Sequence, residues 1–548
     1  MRRLALMLLL FPLILLPLTA FAEQNELSPD CHNKTGSIDV IVQYKVPPQQ
    51  KHRDRMAAQG GQVTGSLDLI KAVVAHVPAT RLKELANDPD VAYISPDRAV
   101  HSYLNNAAPA VNAPYAWGLG YDGSGMGVAV IDSGMQTPVD LNNASGKTRV
   151  VYSQSFVPTD THIIDVYGHG VHIGGLIAGN GSSSKGLYKG IAPNANIVNL
   201  RVLDQHGQGT DSAVINAINA AIKLKSQYNI RVINLSLGRP VFESYKADPL
   251  CQAVEQAWKA GIVVVVAAGN DGRDNSAGTN GYGTITAPGN DPYVITVGAM
   301  KSMGTPTRAD DLIASYSSKG PTLIDHIVKP DIVAPGNRAV SLAGKSATYF
   351  LQNYPQNSIS GGYFVLSGTS MAAAVVSGAV ADVLEARPKL TPDQVKALLM
   401  KTASKTFPPY SSVTDGGITY TDQYDVFTIG AGYIDLQEAL ASSDPLPAAP
   451  MTSPAVEFDS NCQCVHFVRD RSALWGNSAM WGASALWGTN VFLTSNSATW
   501  GSSALWGNSA MWGTSTNSAF SALWGNSALW GTGSTTSDAS SAAINGEN

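Results

Sequence analysis

Cysteine is scarce. The 548 residues include only Cys31, Cys251, Cys462 and Cys464. Disulfides therefore cannot be the main support of so long a chain, and a hydrophobic core must carry the fold. A hydrophobic content of 44% is enough for one. Three pairings are open to four cysteines, and Cys462-Gln463-Cys464 is too tightly spaced to form a zinc site by itself. Basic charge is not in surplus either: 36 Lys and Arg against 41 Asp and Glu leave a formal charge of −5. No basic face is expected, which argues against a nucleic-acid partner. Beyond the first residues, no apolar run reads as a membrane span. From 472 to 530 the chain has no Asp, Glu, Lys, Arg or His at all.

What is present falls into blocks. Residues 1–22, "MRRLALMLLLFPLILLPLTAFA", have two arginines, an apolar stretch and an Ala20-Phe21-Ala22 end. That is the pattern of a secretory signal, and it implies export to the extracellular space or cell surface. Residues 37–100 read strand, helix, strand, helix, strand, a small α+β domain within a 23–103 leader. Residues 104–441 alternate short Val/Ile-rich runs with helical segments, as in "GVAVID", "RVINLSLG" and "IVVVVAAGN". The expected fold is α/β, a mostly parallel sheet with helices on both faces. "SSDPLPAAPMTSPA" opens a 442–471 linker by composition. The 472–548 tail holds eight Ser-Ala-x-Trp-Gly units, mostly six residues apart.

Three positions stand out chemically. Ser370, in "LSGTSMAAAVVSG", lies in the first turn of an expected helix, beside free N–H groups and the positive end of the helix dipole. A helix cap explains that serine equally well in isolation. A serine hydroxyl becomes a nucleophile only with a base, and the base needs an orienting acid. Asp132 ends the strand "VAVID", and His169 sits between two glycines before a small-residue helix. In parallel sheets such strand ends are where active residues gather. His172, three residues on, reads as structural.

Taken together, "VIDSGM", "GHGVHIGG", "VINLSLG", "AAGNDG", "SSKGP", "KPDIVAPG" and "GTSMAAA" resemble the subtilases, the subtilisin-like serine endopeptidases, in family order. The resemblance implies an enzyme in which Ser370 is the nucleophile, His169 the general base and Asp132 its orienting acid. Asn270 would donate to the oxyanion. Ser236, Leu237 and Gly238 would form one edge for an extended peptide, with Gly207 and Gly209 on the other and Gly269 in a pocket wall. It departs at Val171, Ala374 and Val375, where the family usually has threonine and a proline often followed by histidine. No cofactor is required for the chemistry. No metal is assigned: a structural calcium is allowed, but the 179–190 loop lacks the needed carboxylates and Asp140 is at most a lone ligand.

The resemblance extends to the small domain, which looks like the inhibitor-type propeptide of many subtilases. It implies an intramolecular inhibitor that covers the cleft, with self-cleavage near Tyr103. Protein or peptide substrates follow from the activity. The tail is expected to form short extended segments with Trp on one face, which would bind a cell surface or polymer. A lipase of the α/β-hydrolase type is disfavoured, because Ala372 replaces the second glycine of Gly-x-Ser-x-Gly and the triad order differs.

Overall fold

The computed structural model describes residues 27–28, 31, 36–97, 107–158, 160–344, 348–415, 417–448, 450–459, 464–468, 544 and 546–547. The expected signal segment, the cleavage point near Tyr103 and the Trp-Gly units lie outside these residues. The chain divides into two units, Met1–Ser102 and Tyr103–Asn548.

In the first unit, β1 (Ser37–Tyr44), α1 (Gln50–Ala58), β2 (Gln62–Leu67), β3 (Ala72–Pro78), α2 (Leu82–Ala86) and β4 (Val91–Pro96) follow in order. The sheet is antiparallel with order β2-β3-β1-β4. Val40, Val42, Val73, Ala75 and Val77 alternate inward and meet Met56, Leu82, Leu85 and Ile94. One strand departs from the sequence expectation. β2 is an edge strand with no buried residue, so its polar "QVTGSL" has no hydrophobic alternation to betray it.

The second unit begins with the short helices α3 (Ala107–Ala110) and α4 (Ala113–Gly118). Then come β5 (Gly127–Asp132), β6 (Val150–Ser155), α5 (His169–Ala178), β7 (Asn196–Arg201), α6 (Asp211–Tyr228), β8 (Ile230–Leu235), α7 (Pro249–Lys259), β9 (Val263–Ala267) and β10 (Ile295–Lys301). β11 (Leu312–Ile313), β12 (Ile332–Pro335), β13 (Ala339–Leu342), α8 (Tyr349–Asn353), β14 (Ser358–Ile359), β15 (Tyr363–Leu366) and α9 (Thr369–Ala386) lead through Ser370. After these lie α10 (Pro392–Thr402), the hairpin β16 (Tyr410–Asp415) and β17 (Ile418–Gln423), α11 (Leu436–Ala441), and the hairpin β18 (Val456–Asp459) and β19 (Cys464–Phe467).

The main sheet runs β11-β10-β9-β8-β5-β7-β6, with β12 also on β10. Every pairing is parallel except β10 with β11. Every residue of β5, β9 and β10 is buried, which requires cover on both faces. α5 packs with α9 and α6 with α7, two helix pairs against the sheet. α9 is apolar and long enough to cross a membrane, but its residues are the core of this unit. β5 stands where the strand order turns: β7 and β6 lie to one side, β8, β9 and β10 to the other. Loops leaving β5 and β8 diverge there, and their carboxyl ends border a crevice.

The 442–471 segment is less linker-like than its composition. Met451, Ser453, Pro454, Ala455 and Val456 are buried. The Pro454 carbonyl accepts from Val328 N, and Ser453 Oγ bonds Asp331 Oδ1 at 2.5 Å. Ser453 thus completes a buried charged cluster, Asp331 with Lys329 and Lys396, while Pro454 satisfies a neighbouring backbone donor.

Candidate active site

Asp132 is the last residue of β5 and fully buried. Its carboxylate accepts the Ser133 N–H at 2.7 Å and meets His169 Nδ1 at 2.8 and 3.0 Å through its two oxygens. A buried carboxylate holding Nδ1 leaves Nε2 as the basic nitrogen. His169 opens α5 because its neighbours are glycines. Gly168, the residue before the helix, has φ +105°, and a Cβ on Gly170 would stand 2.2 Å from the Gly134 carbonyl. Larger residues would push the imidazole off Asp132.

Asp165 completes this half of the site, and the sequence reading did not single it out. It is fully buried and accepts from Ser133 Oγ, Tyr167 N, Gly168 N and Val171 N at 2.7–3.0 Å. It thus caps the first turn of α5 from outside the usual cap position. An aspartate three residues before Gly168 was the available signal. Burial pushes its carboxyl above the usual range, against the pull of its backbone donors. For His169 burial lowers the pKa, but the Asp132 charge and hydrogen bond, with Asp165 behind them, outweigh it, so the imidazole titrates above its usual value. His172 differs in every respect. It is buried, its Nε2 donates to the Ala339 and Phe364 carbonyls, and burial pushes its pKa down to about 3. It is a neutral structural histidine.

The Ser370 half comes from β8, β9 and α9. In the β5–β8 register Val130 lies beside Asn234, so the end of β5 stands next to Ser236. The Ser370 hydroxyl donates to the Ser236 carbonyl at 3.2 Å, and Ser236 Oγ returns a bond to the Ser370 carbonyl at 2.9 Å. The side chain is parked there rather than on His169 Nε2. Nucleophile–base bonds are often loose without substrate. Asn270 is oriented by its oxygen: Oδ1 accepts from Thr369 N at 2.9 Å and Thr369 Oγ1 at 3.1 Å. Its amide nitrogen makes no hydrogen bond among the described residues and stands 3.2 Å from where a Cβ on Gly368 would lie. Thr369, buried, also bonds both the N–H and the carbonyl of Gly269.

The other sequence-selected residues divide. Gly238 is exposed and Leu237 half-buried beside Ser236, so this edge is open for pairing. A Cβ on Gly238 would meet Thr286 Oγ1 at 2.6 Å, and one on Gly269 would meet Ser318 Oγ at 2.7 Å. Gly207 and Gly209 belong to a turn that Asp204 organises, with its carboxylate accepting from His206 N and Gln208 N. Gly207 has φ +75°, and a Cβ there would lie 2.7 Å from the Tyr167 ring. That geometry accounts for the glycines by turn-making and close packing. Val171, in α5, and Ala374 and Val375, in α9, are buried, and α9 runs unbroken through the last two.

Asp140, the candidate lone ligand, spends its carboxylate on Ser183 N, Ser183 Oγ and the Tyr363 hydroxyl. Among the described residues no three His, Cys, Asp or Glu side chains group as metal ligands. Cys251 is a free, buried thiol donating to Asn290 Oδ1, and burial raises its pKa.

Comparison with known proteins agrees on the class. Residues 123–432 match the model of the subtilase family, a peptidase family. Serine protease AprX of Bacillus subtilis (strain 168) is 38% identical over 321 residues, 56% of this chain and 68% of that protein. Subtilisin E of the same strain is 36% identical over 360 residues, 65% of this chain and 81% of that protein. Alkaline protease of Alkalihalobacillus alcalophilus is 33% identical over 320 residues, 58% and 70% of the two chains.

Proposed function

The chain belongs to the subtilase family and is a serine-type endopeptidase, and on that premise we propose that Asp132, His169 and Ser370 are its triad and Asn270 its oxyanion donor. The observation that carries this reading is the buried Asp132 carboxylate on His169 Nδ1 at 2.8 Å, on the strand end beside the Ser236 carbonyl that holds Ser370.

Rotation about the Ser370 Cα–Cβ bond would turn the hydroxyl from the Ser236 carbonyl toward His169 Nε2. His169 takes the proton as Oγ attacks the peptide carbonyl, and the resulting cation is stabilised by Asp132. Oxyanion charge falls on the Asn270 amide and the first-turn N–H groups of α9. His169 returns the proton to the leaving amine, and water repeats the cycle on the acyl-enzyme. Ser236–Gly238 pairs with the substrate as an added strand. The Gly207–Gly209 edge and the Gly269 wall belong to the same reading with weaker support, since packing already explains those glycines.

The proposal includes export through residues 1–22 and a 23–103 propeptide that inhibits in cis until cut near Tyr103. The 472–548 tail is read as a surface- or polymer-binding element outside the chemistry. A fluorophosphonate probe should label the wild type and not Ser370→Ala, and casein hydrolysis should follow the label. Equal labelling of both proteins refutes the nucleophile. N-terminal sequencing tests the rest: a Ser370→Ala product starting at the same residue as wild type, near Glu23, refutes self-processing.

A further inference from the structure

Beyond the repeats, Ile544, Gly546 and Glu547 sit in a socket of the second unit. Glu547 is 2% exposed. Its Oε1 accepts from Ser315 N at 2.8 Å, from Arg273 Nη2 at 2.9 Å and from Ser315 Oγ. Its backbone pairs reciprocally with one side chain: Glu547 N donates to Asn337 Oδ1 at 2.8 Å, and Asn337 Nδ2 donates to the Glu547 carbonyl at 2.8 Å. Arg273 is aimed from the other side by Asp415 at 2.8 Å and lies over the Tyr420 ring. Lys301, buried on β10, adds a second positive charge facing Glu547. Gly546 has φ +66°, and a Cβ there would come within 2.5 Å of Ser367 Oγ. Ile544 is buried, with its carbonyl held by Asn357 Nδ2.

This arrangement reads out chemistry on both backbone and side chain. A carboxylate of glutamate length reaches Arg273 and Ser315 only when the preceding residue lacks a Cβ and the backbone is clasped by Asn337. Charged groups so buried are stable only when paired, and an empty socket would leave Arg273 short of one of its partners. We propose that Arg273, Ser315 and Asn337 form a binding site for an acidic Gly-Glu peptide, filled by the chain's own Gly546-Glu547. The segment is a latch, holding whatever is joined to it on the peptidase unit even after the backbone between 469 and 543 is cut. The socket also backs the active site. Arg338 N donates to Ser367 Oγ, Gly368 N donates to the Gly336 carbonyl, and Gly272 N donates to the Tyr316 carbonyl. The loops that end in Ser370 and Asn270 thus bond the immediate chain neighbours of the residues that hold the latch.

The proposal does not depend on which serine is the nucleophile, since neither of its readouts is catalytic. The first is hydrogen exchange on the full chain carrying Ser370→Ala. In Glu547→Gln the Ser315 amide should exchange at least tenfold faster than in the parent, while amides of β5 stay unchanged. Equal Ser315 rates overturn the latch. The second readout is retention. A site-specific cleavage sequence is inserted between 469 and 543, the protein is cut, and the products are separated by size. The fragment bearing residues 541–548 should co-elute with the peptidase unit and leave it in Glu547→Gln and in Arg273→Met. Release from the parent, or equal retention in both variants, overturns the proposal. A synthetic peptide of residues 541–548 should then displace the retained fragment, and its Glu547→Gln form should need at least tenfold more.

Discussion

The two halves of the proposed active site are built differently. On the acid–base side, Asp132 and Asp165 are fully buried, and their bonds to His169, Ser133 and the first turn of α5 run from 2.7 to 3.0 Å. This side is complete before substrate arrives. On the nucleophile side, Ser370 rests on a carbonyl at 3.2 Å and the Asn270 amide nitrogen is unengaged among the described residues. Orientation there is supplied by Thr369 and the backbone, while the Ser370 hydroxyl and the Asn270 amide nitrogen keep the freedom the proposed chemistry needs. The difference teaches that a base must be held in one tautomer at all times, whereas a nucleophile and an oxyanion donor need partners only when charge develops.

Substitutions can break that contrast, beginning with the largest effect. Ser370→Ala should lower casein turnover about a millionfold, a size carried over from subtilisins. A loss below a hundredfold would mean that another group attacks. Asp132→Asn leaves the shape but removes the charge that orients and supports His169, and turnover should fall about 10⁴-fold, again a size known for serine peptidases. The pH profile should move with it. Hydrolysis needs neutral His169, so the rate should fall as pH drops through a value above that of an ordinary histidine, and the midpoint should shift downward in Asp132→Asn. Stability runs the other way. The His169–Asp132 pair stabilises the fold below the ordinary histidine value and loses that contribution as pH rises through the higher folded value. His172 behaves oppositely: held near 3, it contributes stability above the ordinary histidine value that is lost as pH falls toward 3. Thermal unfolding scanned from pH 8 to pH 3 should therefore weaken on the acid side, and His172→Gln should flatten the slope.

Asn270→Ala should cost about 10²–10³ in kcat with KM little changed, a magnitude established for a subtilisin. A change confined to KM would move Asn270 from the oxyanion to substrate binding. Asp165→Asn should lower kcat about tenfold and destabilise the fold by about 1–3 kcal/mol, because an amide N–H would then face backbone donors. The midpoint of the pH profile should drop as well, which a purely structural loss would not produce. Gly207→Ala should have the smallest catalytic effect, under about tenfold, with about 1–3 kcal/mol lost to the strained backbone. A large loss in kcat/KM for extended peptides alone would restore Gly207 to the substrate edge.

Much of this was legible because the chemistry is tied to strand ends and helix starts. "VAVID", "GHG" and "GTSMAAA" each join a recognisable element to one proposed triad residue, and their order along the chain points to the subtilases. Asp165 was barely legible. Three of its four donors lie within six residues of it and the fourth, Ser133 Oγ, comes from the loop after β5, but its spacing to Gly168 was the only local sign of that role. Gly207 and Gly209 were legible as glycines but not by role, since a turn and a peptide-binding edge call for the same residue. The 442–471 segment misled by composition: Pro454 and Ser453 look like linker residues until Asp331 and Val328 are seen beneath them.

The sequence by itself determined the class of fold and the family motifs on which the proposed site rests, because parallel-strand periodicity and local motifs are properties of neighbours in the chain. The tertiary structure decided everything that depends on distant residues meeting. His172 became inert because two carbonyls from β13 and β15 lie against its ring. Asp165 became part of the site because a loop folds back on its own helix. Glu547 became a core residue because Arg273 and Ser315, far away in sequence, hold its carboxylate and Asn337 clasps its backbone. Burial and pairing are set by that assembly, and they fix whether a charged side chain is solvent-borne, structural or reactive.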